Sequence, residues 1–339
     1  MDKRIINAVA GAGKTTLIID ECKKQDDSSN IAVIAYTIAN QENMRKSIID
    51  EFGCIPSNIY IFGFFEFIYN FCYLPYSSMK NKGICFENPH YKNPNYYSTD
   101  GRIFSNKLSK LILIKPSQYL NRIDKYFDSI FIDEIQDLAS DDFDWLLSLV
   151  NLRISVMGVG DFYQSTFSSS IRGKKNKSLF TDYSAYKSRF TKIGFAFDDN
   201  LLVKSYRCNN GVCSFISEKL KINILSHDEN SDKESVIFLS LQEDIIRILN
   251  DDNIKKLFFQ KHYNYKCNSD NWGNSKGCTF SDVCVVLNET TYKFYTKNDL
   301  HNLAPGTLAK FYVACSRTKG KLFFIEQKCI PDCYERYDP

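Results

Sequence analysis

A glycine-rich loop, AVAGAGKTT at residues 8–16, holds the first residues whose types and spacing could do chemistry. Gly11 and Gly13 allow the backbone to curl, so that its N–H groups face a phosphate at the start of a helix. Lys14 can reach the terminal phosphate oxygens, and Thr15 can ligate Mg²⁺. This pattern predicts a Walker A loop that binds ATP with Mg²⁺. The residues of the predicted nucleotide site are Ala10, Gly11, Ala12, Gly13, Lys14, Thr15 and Thr16.

A pair of acids in the middle of the chain could complete this chemistry. Ser129–Asp133 reads as a strand that ends in an acid, and Glu134 follows directly. Asp133 can hold Mg²⁺ opposite Thr15, and Glu134 can accept a proton from the water that attacks the γ-phosphate. Such a pair is also common as a solvated strand end, but combined with Lys14 it predicts hydrolysis of a nucleoside triphosphate.

Three further polar residues fit hydrolysis better than simple nucleotide binding. Gln164, in the segment GDFYQS at 160–165, follows the next predicted strand and would lie beside the phosphates. Arg207 and Arg317 come from the second half of the chain. Arginines from a facing domain stabilise transition-state charge and make hydrolysis depend on domain closure. Each arginine taken singly could equally be a surface cation.

The elements that must position these residues alternate between short β-branched strands and helices, the pattern of an α/β fold with parallel sheets. A predicted strand at 4–9 precedes the glycine-rich loop, and a predicted helix at 15–24 follows it. The length of 339 residues favours two domains. We place the first at 1–195, with a small insertion at about 77–107, and the second at 196–339.

Composition and charge exclude several classes of protein. Hydrophobic residues make up 44% and charged residues 24%, which is typical of a globular chain rather than a disordered or fibrous one. The net charge of +3 excludes a strongly basic protein, so nucleic-acid affinity would have to come from a local groove. The most apolar region, 59–76, is interrupted by polar residues, so we expect no membrane span. Dispersed cysteines without a C-x-x-C pair, and no secretory signal, predict a cytoplasmic protein with free thiols.

The order of these motifs resembles that of the superfamily 1 helicases of the UvrD/Rep type over nearly the whole chain. Besides the loop, the matching segments are Ala35–Thr37 with Met44–Arg45, Asp133–Asp137, Gly160–Ser165, Tyr206–Arg207, Lys276–Phe280 and Tyr312–Arg317. The resemblance implies two RecA-like P-loop NTPase domains, with ATP at their interface and single-stranded DNA across both. It also implies that Gln136 and Gln164 sense the γ-phosphate, and that Arg207 and Arg317 act as arginine fingers.

The same resemblance implies further contacts to nucleotide and DNA. Gly277 and Thr279 would belong to the nucleotide site. Bases of single-stranded DNA would stack on aromatic side chains, at about 1–3 kcal/mol per base. The basic stretch 172–177 could contact the DNA backbone, although it could equally be a solvated loop. The residues that we predict to contact DNA are Tyr36, Thr37, Phe62, Phe167, Lys174 and Lys175.

Departures from the family pattern keep more than one function open. The chain starts one strand before the loop, so we expect no counterpart of the glutamine that reads adenine, and Ala8 replaces the first glycine of the loop. The intervals that carry large accessory domains in the family are short here. The first hypothesis is an ATP-dependent translocase or helicase on single-stranded DNA, moving 3′→5′ by analogy.

A second hypothesis is a nucleotide-controlled switch without large accessory domains. Such a switch would regulate a partner, for example a nuclease in a mobile-element or anti-phage defence system, and would unwind little alone. A third interpretation, a small-molecule kinase with a P-loop, would leave Gln164, Arg207 and Arg317 without roles.

Overall fold

The chain folds as two units, and each unit is built from three separate segments of the sequence. The computed structural model describes residues 2–77, 82–87, 89, 93–166, 175, 179–228 and 234–335. The first unit comprises Met1–Asn7, Lys14–Phe162 and Phe167–Leu201, and the second comprises Ala8–Gly13, Tyr163–Thr166 and Leu202–Pro339. The short segments that carry the loop glycines and Gln164 therefore pack with the second unit.

A six-stranded sheet forms the centre of the first unit. The strands of this unit are β1 (Lys3–Ala8), β2 (Ile31–Ala35), β3 (Ile59–Gly63), β4 (Ile84–Cys85), β5 (Ile103–Phe104), β6 (Ser129–Ile132), β7 (Ser155–Gly160) and β8 (Ala196–Leu202). The sheet has the order β3-β2-β6-β7-β1-β8, and its neighbours from β3 to β1 are parallel, whereas β4 and β5 pair separately. Every residue of β2 and β6 is buried, as expected for parallel strands covered on both faces.

The helices of the first unit connect these strands. They are α1 (Lys14–Lys23), α2 (Ile38–Phe52), α3 (Phe64–Glu66), α4 (Ser105–Ile112), α5 (Pro116–Tyr126), α6 (Asp141–Ser148) and α7 (Tyr183–Thr191). Helix α3 continues into a π-helical segment, Phe67–Tyr73. Helix α2 begins at Thr37, whose side-chain oxygen accepts the N–H of Asn40 at 3.1 Å, and ends at Gly53 in the left-handed region.

A five-stranded parallel sheet forms the centre of the second unit. The strands here are β9 (Lys204–Ser205), β10 (Leu225–Ser226), β11 (Val236–Phe238), β12 (Ile254–Phe258), β13 (Ser269–Asn271), β14 (Asp282–Leu287) and β15 (Leu322–Glu326). The helices are α8 (Asn210–Leu220), α9 (Gln242–Asn250), α10 (Glu289–Thr296) and α11 (Pro305–Cys315). The sheet has the order β11-β15-β14-β12-β13, and β9 pairs with β10 in parallel beside it.

Side chains of β14 alternate between two hydrophobic cores, one on each face of this sheet. Val283 and Val285 belong to the core that includes residues of α8 and α11, whereas Cys284 and Val286 belong to the core that includes residues of α9. The period of two is that of a strand buried on both faces. Loop residues Val9, Ala10 and Ala12 are part of the first of these cores.

The predicted α/β class with parallel sheets is confirmed. The division of the chain differs in detail from the predicted boundary at 195, because β8 joins the first sheet beside β1 and brings the chain up to Leu201 into the first unit. Within the described residues, no helix is both long enough and apolar enough to cross a lipid bilayer.

Candidate nucleotide-binding site

Polar side chains of the first unit contact Glu134, the residue after the predicted Mg²⁺ ligand Asp133. Lys14 begins α1, and its Nζ lies 3.5 Å from Oε1 of Glu134, with the two side chains only 12% and 15% exposed. The side-chain amide of Gln136 donates to Oε2 of Glu134, and its Oε1 accepts the N–H of Asp161 at 3.0 Å. One carboxylate is thus held between a cation and an amide.

The backbone around Glu134 is arranged to place its carboxylate. Glu134 has a φ of 53°, in the left-handed region, and its N–H donates to the Asp133 carboxylate at 2.9 Å. A non-glycine residue in this region costs of the order of 1–3 kcal/mol and is found most often at functional sites. Asp133 is buried at the end of β6, where its N–H donates to the carbonyl of Ile34 at 2.9 Å.

Gly160 lets Gln136 reach the strand end. A Cβ on Gly160 would lie 2.5 Å from Oε1 of Gln136 and 2.7 Å from Cγ1 of Ile135, so any side chain would displace both. Gly160 therefore has a steric role in the site that the sequence motif alone does not explain. The two remaining predicted residues of α1, Thr15 and Thr16, lie in its first turn, half-buried and exposed respectively.

Among the described residues, four hydrogen bonds join the glycine-rich loop to other segments of the second unit. Ala10 is bound on both sides, since its N–H donates to the hydroxyl of Tyr312 at 2.9 Å and its carbonyl accepts the hydroxyl of Ser205 at 2.7 Å. The carbonyl of Gly11 accepts the N–H of Tyr206 at 2.9 Å. The N–H of Val9 donates to the carbonyl of Leu202 at 2.9 Å.

Gly11 is required by the close approach of Arg207. Its φ is 71°, and a Cβ there would lie 2.7 Å from Cβ of Arg207 and 3.0 Å from the hydroxyl oxygen of Ser205. Gly13 also has a positive φ, 84°, and Ala12 between them is buried. The loop therefore has the curled backbone that the sequence predicts.

Both predicted arginine fingers lie in the same unit as the loop. The guanidinium of Arg317 is almost fully buried, at 1% exposure, and its Nη2 donates to Oε1 of Gln164 at 3.2 Å. Its Nε donates to the carbonyl of Val313 at 2.9 Å, which fixes the plane of the group. Arg207 donates through Nη1 to the carbonyl of Ser316 at 3.2 Å. The structure thus brings together two arginines that are 110 positions apart in the sequence.

The Lys276–Phe280 segment lies beside Arg317. The N–H of Phe280 donates to the carbonyl of Arg317 at 2.9 Å, and Gly277 adopts a φ of 87°. Thr279 is exposed. The guanidinium of Arg317 donates through Nη1 to the carbonyl of Cys278, which lies between the predicted residues Gly277 and Thr279, at 3.5 Å.

Tyr206 and His227 are residues of this site that sequence reasoning missed. The two rings stack with centroids 4.1 Å apart, and Tyr206 is 68% exposed although its own N–H is bound to the loop at Gly11. An exposed aromatic face beside a phosphate loop is a suitable surface for a nucleobase. The position of Tyr206 directly before Arg207 was the available signal. Ser205 and Tyr312, which bind Ala10, were also missed. Tyr312 begins the matching segment Tyr312–Arg317, and Ser205 directly precedes Tyr206–Arg207.

Three of the residues predicted to contact DNA, Tyr36, Thr37 and Phe62, have contacts inside the first unit. Thr37 caps α2, and Tyr36 packs with ring centroids 5.5 Å from Phe64 and 6.0 Å from Phe65. The ring of Phe62 packs edge-on against neighbouring aromatic rings, at 5.3 Å from Phe67 and 6.2 Å from Phe127. All three side chains are half-buried.

Of the remaining predicted DNA contacts, Phe167 and Lys174 lie outside the described residues. Lys175 is exposed, and its Nζ lies 3.2 Å from the carboxylate of Asp141 and also contacts Asp144. The hydrogen bond to Asp144 raises the pKa of Lys175 above its ordinary value.

Comparison with known proteins adds a likeness in fold. No protein-family model and no curated protein sequence matches the chain. A structure described as a complex of arterivirus nonstructural protein 10, a helicase, with DNA superimposes with a TM-score of 0.50 at 12% identity, over 96% of this chain and 61% of that one. A second structure of the same helicase gives a TM-score of 0.48 at 12% identity, over 96% and 60%.

The likeness identifies the class of fold. The chain has a helicase fold, built on α/β units with parallel sheets and consistent with two RecA-like domains. It spans about three fifths of the length of the arterivirus helicase chain that it matches.

Proposed function

We propose that the chain is the motor of an ATP-dependent translocase or helicase on single-stranded DNA, of the UvrD/Rep type. The observation that carries this proposal is the polar assembly of the second unit, in which Gln164, Arg207 and Arg317 lie in one network with the glycine-rich loop. An arginine pair held at a phosphate loop serves phosphoryl transfer, because it neutralises charge that develops on the phosphate oxygens. A loop that only bound a nucleotide would need no such pair.

Glu134 is the general base of the proposed reaction. It accepts the proton of the attacking water, and its contacts with Lys14 and Gln136 hold the carboxylate in one orientation. Gln136 also accepts the N–H of Asp161 at the end of β7, so its amide is fixed on both sides. Lys14 neutralises the terminal phosphates of ATP.

The donor set also fits Mg²⁺. Thr15 offers a hydroxyl in the first turn of α1, and Asp133 offers a buried carboxylate at the end of β6, which are the oxygen ligands that Mg²⁺ prefers. When bound, Mg²⁺ screens the charge of the β- and γ-phosphates. The backbone bond of Asp133 to Ile34 fixes the strand end from which that carboxylate extends.

The nucleobase has a stacking surface in Tyr206. The ring is exposed, supported from behind by His227, and tied through its N–H to Gly11 of the loop. Stacking attracts any base through its π-face and reads no hydrogen-bond pattern. We therefore propose that selection between adenine and guanine is weak.

A nucleotide-controlled switch for a partner protein is the second candidate. The specific observation in its favour is that Tyr36, Thr37 and Phe62 are each engaged by neighbours in the first unit, which leaves less aromatic surface for bases. Such a switch would hydrolyse ATP without strong stimulation by DNA and would act on an effector such as a nuclease. The polar assembly around ATP would be the same in both cases.

One assay separates the two candidates. ATP hydrolysis is measured alone and with single-stranded DNA, RNA or duplex DNA, in parallel with displacement of a labelled strand. The motor predicts that single-stranded DNA raises the hydrolysis rate at least about tenfold, because DNA would favour the closed, catalytic arrangement. The switch predicts a rate that is indifferent to all three.

Matched variants link the activity to this chain. Lys14→Ala should abolish hydrolysis, whereas Lys293→Ala, which removes an exposed lysine paired with Glu289 on α10, should leave it unchanged. Hydrolysis that survives Lys14→Ala would contradict both candidates.

A further inference from the structure

We infer that Tyr312 and Ser205 are positioning residues that join the phosphate loop to the two arginines in a closed ring of hydrogen bonds. The inference rests on the proposed function and adds to it two residues that touch neither phosphate nor water in the reaction. The ring lies entirely in the second unit, which contains residues 8–13, 163–166 and 202–339.

The ring begins at Ala10, whose two backbone groups are both used. The Tyr312 hydroxyl accepts the N–H of Ala10 at 2.9 Å, and the Ser205 hydroxyl donates to its carbonyl at 2.7 Å. All three residues are buried, with 0%, 0% and 1% exposure for Ala10, Tyr312 and Ser205. Water therefore cannot replace either partner, and the loss of one hydroxyl leaves a buried backbone group without that bond.

Ser205 connects the loop to Arg207 within the ring of hydrogen bonds. Its oxygen accepts the N–H groups of Arg207 at 3.2 Å and of Cys208 at 3.1 Å, while its hydroxyl proton is directed at Ala10. One hydroxyl thus sets the backbone of the arginine and of the loop relative to each other. The absence of a side chain at Gly11 lets the two segments approach this closely.

Helix α11 closes the ring on its other side. Arg207 donates through Nη1 to the carbonyl of Ser316 at 3.2 Å, and the N–H of Ser316 donates to the carbonyl of Tyr312 at 3.0 Å. The hydroxyl of Tyr312 accepts the N–H of Ala10, which closes the ring. Arg317 is attached at Ser316, since its Nη2 donates to the Ser316 hydroxyl at 3.0 Å and to Gln164 at 3.2 Å.

The closed ring of hydrogen bonds gives the hydroxyl of Tyr312 a function that the aromatic part of the side chain cannot supply. The aromatic part packs in the core beside Tyr163, with centroids 6.2 Å apart, and phenylalanine would fill the same space. The hydroxyl adds a direct hydrogen bond between the loop and α11. Removing it should shift the loop relative to Arg207 and Arg317, and small displacements of a catalytic group are costly in rate.

The first test uses amide hydrogen exchange and needs no activity. In Tyr312→Phe, the backbone N–H of Ala10 should exchange at least about tenfold faster than in the unmodified chain, because its buried partner is gone. The control is Tyr295→Phe, which removes a hydroxyl from a half-buried tyrosine packed on Phe238 and Phe324 in the same core. Exchange that is equally slow in all three proteins overturns the inference.

The second test is a double-mutant cycle on the hydrolysis rate. Tyr312→Phe should lower kcat about tenfold with KM for ATP changed less than about threefold, and Tyr295→Phe should change neither. In an Arg207→Ala background the ring is already open, so Tyr312→Phe should lower kcat by less than about threefold further. The same tenfold loss in both backgrounds would show that Tyr312 acts independently of Arg207 and would overturn the ring.

The two tests separate this inference from the proposed function. If the unmodified chain hydrolyses no nucleotide while Tyr312→Phe still accelerates exchange at Ala10, the proposed function fails and the hydrogen-bonded ring stands. If the chain hydrolyses ATP and exchange at Ala10 is unchanged in Tyr312→Phe, the ring fails and the proposed function stands.

Discussion

The glycine-rich loop of the second unit and the aromatic cluster around Phe62 in the first unit use their motif residues in different ways. Around the loop, buried hydroxyl, amide and guanidinium groups bind one another and hold polar chemistry in place. Around Phe62, the ring predicted to stack on a base packs against Phe67 and Phe127 and is half-buried. Nucleotide chemistry needs fixed polar groups, which a folded core can hold, whereas base stacking needs exposed ring faces. The loop therefore supports the proposed function more strongly than the aromatic residues do.

The largest expected effect is the loss of hydrolysis in Glu134→Gln. The amide keeps the size of the side chain but cannot accept a proton, so kcat should fall by roughly 10²–10⁴-fold, the usual contribution of a general base. Nucleotide affinity should stay within about threefold, as measured by titration with a fluorescent ATP analogue. Glu289→Gln, at an exposed carboxylate of α10, is the control. A Glu134→Gln protein with unchanged kcat would assign the base to another residue.

A stability measurement on Phe62→Ala tests whether the aromatic cluster around Phe62 serves packing. If the ring serves mainly as packing, its removal should lower the free energy of unfolding by about 3 kcal/mol, the low end for a phenylalanine in a core. Denaturant titration measures this, with Phe86→Ala as the control at a more exposed ring. An unchanged stability together with lost stimulation by DNA would instead identify Phe62 as a base-stacking surface.

Gly11→Ala should lower the free energy of unfolding by about 2 kcal/mol, because alanine is strained at a positive φ and its Cβ meets Arg207. Hydrolysis should fall as well, since the loop and Arg207 must move apart. Gly306→Ala is the matched control, at a helical position of α11 where a Cβ meets nothing within 4 Å. Equal stability of the Gly11→Ala and Gly306→Ala proteins would contradict the close approach of the loop and Arg207.

The smallest expected effect is that of Thr37→Ala. Loss of the cap of α2 should lower the free energy of unfolding by about 1 kcal/mol. Thr37→Ser keeps the oxygen that accepts the N–H of Asn40 and should restore the stability. If both variants are as stable as the unmodified chain but bind single-stranded DNA more weakly, Thr37 has the nucleic-acid role that the motif predicts.

The sequence is sufficient for the fold class because short-range patterns determine it. Apolar runs followed by polar residues predict parallel strands, and the ends of such strands meet at one edge of a sheet. On this basis Asp133, Glu134 and Gln164 could be expected to follow β6 and β7, as they do. The left-handed conformation of Glu134 could not be expected, because glutamate has no preference for it.

Long-range contacts explain what the sequence could not predict. The bond from Ala10 to Tyr312 joins residues 302 positions apart, and no local pattern distinguishes this tyrosine from one that merely fills a core. The same holds for Phe62, whose exposure depends on where Phe127 packs. The roles of the site residues stay predictions, which the hydrolysis and stability measurements test.

The most direct test of the central claim is the steady-state rate of ATP hydrolysis with and without single-stranded DNA, for the unmodified chain and for Lys14→Ala. We predict hydrolysis that single-stranded DNA stimulates at least about tenfold and that Lys14→Ala abolishes. Failure to hydrolyse ATP under either condition, or hydrolysis that persists in Lys14→Ala, would contradict it.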